Sequence, residues 1–406
     1  MPSTRIPLKL SLLSALLLVS ACKKEEAAKP PEAAAPTTPA EVKPAEVKPA
    51  DTKEKAQLVG LVTDVGGRGD QSFNDSGLRG LELWGAGKKY EAGKYVDASP
   101  EELKATLQQD LVERGIAPVA ITPRVLQSKV PQDYEPNLQL LVDEGAGLSI
   151  GVGFMLENAV ETVATRNPEA KFLLIDSPLL SAKNELYTLP NVRTVIFREE
   201  QGSFLVGALA GLVTKGNKVG FVGGMEVPII KKFEAGFRAG VAATNPKATV
   251  ISNYTGSFDN VSAGKQVGQD LVSKGADVVF QAAGADGLGV IQAVKEARDT
   301  GKNVYVIGVD SDQHHVAPEA VLTSMVKRVD LAVYEAVRDL AQGKFTGGDM
   351  ALGLKEGGVT YAPVRLDFPG KEEALKKVEE LRAKVVAGEI QVPTTPTATP
   401  AAGGKK

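Results

Sequence analysis

The sequence predicts an α/β protein with two lobes, each built around a mainly parallel β-sheet. Short runs rich in Val, Ile, Leu and Phe alternate with segments of helical periodicity, the pattern of strands joined by crossover helices. The 406 residues are 43% hydrophobic and 24% charged, enough for one or two large cores. Polar or glycine-rich loops follow the strands, and ligands of such sheets bind beyond the carboxyl ends of the strands.

The first 22 residues predict a lipoprotein signal peptide. Arg5 and Lys9 precede an apolar run at 10–19 that is too short to cross a bilayer comfortably. The run ends in Leu-Val-Ser-Ala before Cys22, the only cysteine, and resembles the bacterial lipobox. We expect a lipid on Cys22 that anchors the protein to a bacterial membrane in the cell envelope, on the periplasmic or extracytoplasmic face. A plain secretory signal with an incidental cysteine is the alternative.

Low-complexity segments flank the body of the chain. Residues 23–56 consist mostly of Lys, Glu, Ala and Pro, and residues 391–406 contain VPTTPTATPAAGGKK. Such compositions cannot bury enough apolar surface to offset the entropy of ordering. We therefore predict a disordered tether and a disordered tail, with two domains of ordinary size between them.

Eight apolar runs within the body predict buried strands. They are residues 58–63, 148–152, 172–175, 194–197, 219–222, 249–254, 278–282 and 304–309. Helical patterns separate several of them, for example at residues 156–166, 202–213 and 289–298. The loops after these strands should carry the functional residues.

Composition argues against several classes of function. The net charge of -3, from 47 basic and 50 acidic residues, provides no field that would attract nucleic acid. One cysteine and two histidines leave few metal ligands and few general bases. The histidines, His314 and His315, are adjacent on a loop and do not share a face, and no glycine loop has the Gly-Lys-Ser/Thr of a P-loop. We expect no metal, no cofactor, no bound ATP and no enzymatic activity.

Several blocks of sequence occur in an order that is specific to one protein family. They are TDVGGRGDQSFND (63–75), DYEPNLQLLVDEGAGLSIGVGF (133–154), FREEQGSFLVGALAG (197–211), GFVGGMEVPIIKKFEAGFRAG (220–240), IGVDSDQ (307–313) and LTSMVKRVDLAVY (322–334). With these blocks the chain resembles the basic membrane protein family of bacterial lipoproteins, the purine-nucleoside receptors of ABC importers.

The resemblance implies the type I periplasmic-binding-protein fold, in which two Rossmann-like lobes with parallel sheets are joined by a three-stranded hinge. The implied N-lobe comprises residues 57–190 plus 328–350, and the implied C-lobe comprises residues 191–327 plus 351–390. Residues 84–130 form a longer stretch than is usual in the family, and an extra amphipathic helix is expected near residues 100–114.

The resemblance also implies a function. A monomeric, lipid-anchored substrate-binding protein would carry guanosine, adenosine or inosine to separate permease and ATPase subunits. A sensory receptor of the same fold, a receptor for another small solute, or a nucleoside hydrolase that uses Asp64 or Asp310 are the alternatives.

A nucleoside requires aromatic surfaces for its base and fixed polar groups for its ribose hydroxyls. Phe73 and Phe258 are the candidates for stacking on the two faces of the base, or else they anchor their loops. Asp64 and Asp310 follow strands; Asp310 is expected to accept hydrogen bonds from ribose hydroxyls and Asp64 to bind ribose or base, unless they cap a helix or turn. Asn74 is expected to contact the base edge.

Five further residues complete the predicted site. Phe154 is a pocket wall or a core side chain, and Asp176 contacts the base or belongs to the hinge. Gly224 and Gly284 allow the backbone to approach a ligand, or they are turn glycines. Lys327 hydrogen-bonds the sugar near a lobe crossing, or it is a solvated surface lysine.

Overall fold

The computed structural model describes residues 56–181 and 183–396. The strands in this part of the chain are β1 (Gln57–Val62), β2 (Lys88–Glu91), β3 (Lys94–Asp97), β4 (Ile121–Leu126), β5 (Leu148–Val152), β6 (Phe172–Ile175), β7 (Leu179–Leu180), β8 (Leu186–Tyr187), β9 (Val192–Phe197), β10 (Lys218–Gly223), β11 (Thr249–Tyr254), β12 (Val278–Ala282), β13 (Tyr305–Asp310), β14 (Val321–Lys327), β15 (Gly348–Leu352) and β16 (Val359–Tyr361).

The α-helices of the same residues are α1 (Phe73–Leu78), α2 (Pro100–Ala105), α3 (Gln109–Glu113), α4 (Tyr134–Asp143), α5 (Glu157–Arg166), α6 (Glu199–Val213), α7 (Pro228–Thr244), α8 (Val261–Ser273), α9 (Asp286–Asp299), α10 (Val329–Ala341) and α11 (Lys371–Val386). A π-helical segment, Arg79–Gly85, continues α1. Within the described residues, no helix has the length and apolar composition needed to cross a bilayer.

The first sheet is entirely parallel and has the order β15-β9-β6-β5-β1-β4. Alternate side chains of its strands point to opposite faces. Val62 and Leu174 pack with α4 and α5 on one face, whereas Leu61 and Leu173 pack with α1 and α10 on the other. Burial on both faces explains why these strands are continuous apolar runs.

The second sheet has the order β11-β10-β12-β13-β14-β16, with only β16 antiparallel to its neighbour. Helices α8 and α9 cover one face, where Val279 and Val306 are buried. Helices α6, α7 and α11 cover the other, around Phe221 and Phe280. The predicted arrangement of two lobes with parallel sheets is confirmed.

The chain passes between the sheets three times: after β9, after β14, and between β15 and β16. Two predicted lobe boundaries disagree with the pairing of the strands in the two sheets. Strand β9 pairs with β6 in the first sheet, although the boundary at residues 190 and 191 assigned it to the C-lobe. Strand β15 also belongs to the first sheet and extends to Leu352, beyond the expected limit at residue 350. An apolar run identifies a strand but does not specify which sheet it joins.

The stretch expected to form one amphipathic helix near residues 100–114 contains two short helices instead. Helix α2 begins with a capping box between Ser99 and Glu102. It ends at Thr106, whose hydroxyl donates to the Leu103 carbonyl (2.8 Å) and accepts from Trp84 Nε1 (2.9 Å). Because Thr106 closes the last turn and is tied to a buried tryptophan, the helix stops and α3 starts as a separate segment.

Most of the residues covered by the predictions for the two ends of the chain are not among the described residues. The signal peptide, Cys22, the tether up to residue 55, and residues 397–406 lie outside the described residues. Val392 is described and packs as a partly buried side chain against the main core, so its assignment to a disordered tail is wrong. An apolar side chain can extend the ordered chain past α11 even where its neighbours are Pro and Thr.

Candidate ligand-binding site

A cleft lies at the carboxyl ends of both sheets. It contains about 560 Å³ of space that no atom occupies, its mouth included. The residues that line it are Asp64, Gly66, Asp70, Phe73, Asn74, Gly153, Phe154, Asp176, Ile229, Ile230, Phe233, Phe258, Ala282, Gly284, Val309, Asp310 and Lys327. The list includes every predicted site residue except Gly224, while the role of each in binding stays a prediction.

Asp64 follows β1 and is held by Asn74. The Asp64 Oδ1 atom accepts hydrogen bonds from Asn74 Nδ2 (2.7 Å) and from the Gly66 amide (2.9 Å). Asn74 Oδ1 in turn accepts from the Asp64 amide at 3.3 Å. Within the described residues, Asp64 Oδ2 has no hydrogen-bond donor, so this oxygen is the one available to a ligand.

Asp70 organises the loop before α1, and the sequence analysis missed it. Its carboxylate accepts from the amides of Ser72 (2.9 Å), Asn74 (2.8 Å) and Asp75 (3.1 Å), and from Asn74 Nδ2 (3.0 Å). An aspartate two residues before a serine that precedes a helix is typical of such a turn, and this signal was present in the sequence.

Asn74 connects Asp64 and Asp70 through its side-chain amide. Both hydrogens of its amide nitrogen are donated within the protein, to Asp64 and Asp70. Only a lone pair on Oδ1 remains for a ligand, because that oxygen already accepts from the Asp64 amide. Asn74 therefore orients Asp64 and cannot donate to a base edge in this conformation.

Four phenylalanine side chains line the cleft, and one of them, Phe233, lies on α7. Phe73 is the first residue of α1, and Phe154 and Phe258 follow β5 and β11. The Phe154 and Phe258 rings contact each other edge to face, with centroids 6.4 Å apart and an interplanar angle of 75°. Phe73 comes from the N-lobe and Phe258 from the C-lobe.

Gly224 lies behind Phe258 and does not line the cleft. An ideal Cβ at Gly224 would lie 2.3 Å from Phe258 Cε1 and 2.7 Å from the Ser257 carbonyl oxygen. Gly284, which does line the cleft, has a φ of +56° and an ideal Cβ that would lie 3.2 Å from Phe258 Cβ. Both glycines make room for the Phe258 ring, so the expectation that Gly224 approaches the ligand is replaced by a packing role.

Lys327 ends β14 and is 2% exposed, which overturns the surface alternative. Its Nζ atom lies 2.5 Å from Asp176 Oδ2 and 3.1 Å from Glu199 Oε1. It also lies within 5.2 Å of the centroid of the Phe73 ring, a cation–π distance. Glu199, at the start of α6, is a second residue that sequence analysis missed, because nothing local shows that it faces Lys327.

Asp310 and Asp176 both have left-handed backbone conformations, with φ of +61° and +74°. Such values are uncommon for residues other than glycine and concentrate at functional sites. The Asp310 Oδ2 atom accepts from Ser72 Oγ at 2.6 Å. Asp176 Oδ1 is buried and has no hydrogen-bond partner among the described residues, so a donor from a ligand could satisfy it.

Burial shapes the protonation of these groups. It raises the pKa of Asp310 to about 7 and the pKa of Asp64 to about 6, from an ordinary value of 3.8. Burial also raises the pKa of Asp176, although Lys327 opposes this change. The surrounding carboxylates raise the pKa of Lys327, so this side chain stays protonated.

Four aromatic rings, carboxylates with unoccupied oxygens and one buried cation suit a flat, polar and uncharged ligand. No group of residues suited to hold a metal ion occurs in the described part of the chain. His314 and His315 lie in a 3₁₀ turn that does not line the cleft. Helix α7 supplies Ile229, Ile230 and Phe233 to the wall; sequence analysis did not select them because their apolar pattern also fits the core.

Comparisons with known proteins agree with this architecture. The family model described as "Bmp: ABC transporter substrate-binding protein PnrA-like" matches residues 57–396. A solute-binding protein of an ABC transporter system from Aeropyrum pernix K1 superimposes with a TM-score of 0.65 at 28% identity, covering 83% of this chain and 93% of that one.

Relatives of similar length are found among characterised proteins. The CD4+ T-cell-stimulating antigen of Listeria monocytogenes is 35% identical over 83% of this chain and 88% of its own. The ABC transporter nucleoside-binding protein BmpA of Lactococcus lactis is 30% identical over 82% and 88%. Basic membrane protein A of Borreliella burgdorferi is 32% identical over 80% and 84%.

Proposed function

The chain belongs to the Bmp family of PnrA-like ABC transporter substrate-binding proteins, and from this premise we propose that it binds a purine nucleoside between its lobes for uptake. Proteins of this family act outside the cytoplasm and bind substrates rather than transform them. The proposed ligands are guanosine, adenosine and inosine, and the proposed partners are the permease and ATPase subunits of an importer. The binding protein itself acts as a monomer.

One observation carries the proposal: aromatic rings and carboxylates from both lobes line the same cleft. The rings of Phe73 and Phe258 supply surfaces for the two faces of a base. Asp64 Oδ2 and the second oxygen of Asp310 can accept hydrogen bonds from hydroxyl or ring N–H groups. The nucleoside-binding name of the Lactococcus lactis relative supports the same ligand class.

The charges of the cleft favour a nucleoside over a nucleotide. Asp64, Asp70, Asp176 and Asp310 line the cleft, and Lys327 is the one lysine or arginine among the lining residues. The ammonium of Lys327 is already paired with Asp176 and Glu199. A phosphate would therefore meet carboxylates without a free cation, which is unfavourable in a buried site.

Isothermal titration calorimetry tests the proposal. Protein comprising residues 23–406 is unfolded, freed of any co-purified ligand and refolded before titration with inosine, guanosine and adenosine. We expect saturable binding with one site for at least one of them, and much weaker binding of inosine 5′-monophosphate. If no nucleoside binds to protein whose circular dichroism shows it to be refolded, the proposal is wrong.

We also propose that Cys22 carries the lipid anchor. The support is the lipobox-like end of the signal sequence, and family membership is consistent with an envelope location. In a bacterial host, the full-length protein should partition with the membranes, and Cys22→Ser should move it to the soluble extracytoplasmic fraction. Equal membrane partitioning of both proteins would exclude the anchor.

A further inference from the structure

The loop before α1 belongs to the N-lobe but contacts the C-lobe. Helix α1 packs on the first sheet, where an ideal Cβ at Gly77 would lie 3.3 Å from Val152 Cγ2. Immediately before this helix, Ser72 Oγ donates to Asp310 Oδ2 at 2.6 Å, and Ser311 Oγ donates to the Ser72 carbonyl at 3.1 Å. Residues from the end of β13, a strand of the second sheet, therefore hold this loop.

Ser72 and Asp310 form an interlobe contact at the ligand site. Ser72 is 0% exposed and Asp310 is 6% exposed. A hydroxyl that donates to a buried carboxylate makes a strong hydrogen bond, and the 2.6 Å distance is in the range for this type. The Val309 carbonyl is 3.3 Å from the same hydroxyl, but a hydroxyl has one proton, so the shorter contact takes it.

Asp310 sits in a tight turn that limits where its carboxylate can point. The Ser311 amide donates to the Val309 carbonyl at 2.7 Å across Asp310, whose φ is +61°. This i to i+2 bond with a positive φ at the central residue is the strained form of the γ-turn. The surrounding structure maintains the strain, as is common at binding sites.

We infer that Ser72 is a positioning residue for ligand recognition. From the N-lobe it holds one carboxylate oxygen of Asp310, which leaves the other oxygen aimed into the cleft to accept from a ribose hydroxyl. Recognition of the sugar is then complete only when the two lobes are closed, because the residue that orients the carboxylate and the carboxylate itself lie on different lobes. The inference rests on the proposed nucleoside function.

The closing experiment compares ligands that differ only in the sugar. Inosine and 2′,3′-dideoxyinosine are titrated into wild-type protein, Ser72→Ala and Ser72→Thr. We expect Ser72→Ala to lower affinity for inosine about ten-fold, as for a lost charge-assisted hydrogen bond, and affinity for the dideoxy compound by less than about two-fold. Ser72→Thr keeps the hydroxyl and should restore the preference for ribose.

Two matched controls separate positioning from packing. Ser149→Ala removes another buried hydroxyl, one that has no hydrogen-bond partner in the described chain. Ser311→Ala removes two interlobe hydrogen bonds, the one to the Ser72 carbonyl and the one from Arg79, without removing the donor to Asp310. Both should keep the wild-type ratio of the two affinities. If thermal unfolding shows that Ser72→Ala is not folded, Ser72→Cys replaces it as the test variant. Because a thiol is a weaker donor than a hydroxyl, Ser72→Cys should lower inosine affinity selectively, but by less than the loss expected for Ser72→Ala.

The outcomes are distinct. Equal losses for both ligands, or no loss for either, would overturn the positioning role while leaving the nucleoside function in place. Wild-type protein that binds neither inosine nor any other nucleoside would overturn the proposed function and this inference together. The pH profile gives a further readout: Ser72 lowers the pKa of Asp310, so inosine affinity in Ser72→Ala should begin to fall at a higher pH than in wild type.

Discussion

Lys327 and Asp176 form a buried ion pair that joins the two lobes, with Nζ 2.5 Å from Oδ2 and side-chain exposures of 2% and 7%. Asp176 follows β6 of the first sheet, whereas Lys327 is the last residue of β14 in the second. Glu199, at the start of α6, is the second carboxylate beside the ammonium. The pair thus belongs to the cleft lining, and Lys327 lies where the chain leaves β14 for the first sheet.

Replacing Lys327 by Met should destabilise the protein strongly. The substitution leaves the Asp176 carboxylate buried without its cation, whereas Glu199 keeps Lys232 at 3.2 Å, and breaking a buried pair in this way costs about 3–5 kcal/mol. Urea unfolding measures the change. Lys274→Met, which removes an exposed partner of Asp270, is the control and should cost less than about 1 kcal/mol. Similar losses of unfolding free energy for the two variants would show that the buried ion pair stabilises the protein no more than the exposed one.

Phe73→Ala should weaken nucleoside affinity about ten-fold or more. The variant removes one stacking surface together with its apolar area, and both contribute to binding. Phe73→Leu keeps apolar bulk without an aromatic face, so its affinity should fall between those of wild type and Phe73→Ala. Calorimetry gives the values, and an affinity for Phe73→Ala within a factor of two of wild type would mean that Phe73 does not stack.

Gly224→Ala should impair binding although Gly224 does not line the cleft. The added methyl group would collide with the Phe258 ring and the Ser257 carbonyl, and overpacking of this kind costs about 1–3 kcal/mol. Displacement of the ring should also lower ligand affinity. Gly147→Ala is the control, since its Cβ would meet nothing closer than 3.5 Å. If Gly224→Ala binds the ligand with wild-type affinity, displacement of the Phe258 ring has no effect on binding.

Acidification should weaken nucleoside binding. The pKa of Asp310 is about 7 and that of Asp64 about 6, so both carboxylates become protonated as the pH falls from about 8 to about 5.5. A protonated carboxyl group is a weaker acceptor for ligand hydroxyls. Asp310→Asn should bind less tightly at high pH and should lose most of this dependence. An inosine affinity that stays constant over the range would contradict the roles given to both residues.

The stability of the ligand-free protein should change with pH in the opposite direction. The pKa values of Asp64 and Asp310 are higher in the folded protein than the value of about 3.9 expected in the unfolded chain. The folded state therefore binds more protons between these values, and these groups lower the free energy of unfolding as the pH rises from about 4 to about 7. In urea unfolding, the free energy of unfolding of Asp310→Asn should decrease less than that of wild type as the pH rises over this range. An identical decrease would contradict the raised pKa of Asp310.

The sequence predicted eight strands from their continuous apolar runs, and most of these strands are buried on both faces. It did not identify the other eight strands of the described residues, among them β4, β14 and β15. Strand β4 contains Pro123 and Arg124 and lies at the edge of its sheet, where proline is tolerated. Strand β14 includes Thr323 and Ser324, and β15 lacks β-branched residues, so neither shows a strand pattern by itself.

The site residues at strand ends could also be identified from the sequence, since parallel strands bring their carboxyl ends to one edge. The hydrogen bonds that these residues make could not be predicted in this way. That Asn74 donates both amide hydrogens within the protein, and that Gly224 supports Phe258 from behind, depends on loops that meet only in the folded chain. The position of Glu199 beside Lys327 depends likewise on the hinge bringing α6 next to β14.

A crystal structure of the protein with inosine tests the central claim most directly. The account predicts that the base lies between the rings of Phe73 and Phe258 and that a ribose hydroxyl lies within hydrogen-bond distance of Asp310. A nucleoside bound elsewhere, or these two rings turned away from the bound ligand with Asp310 out of reach, would contradict it even if the fold is as described.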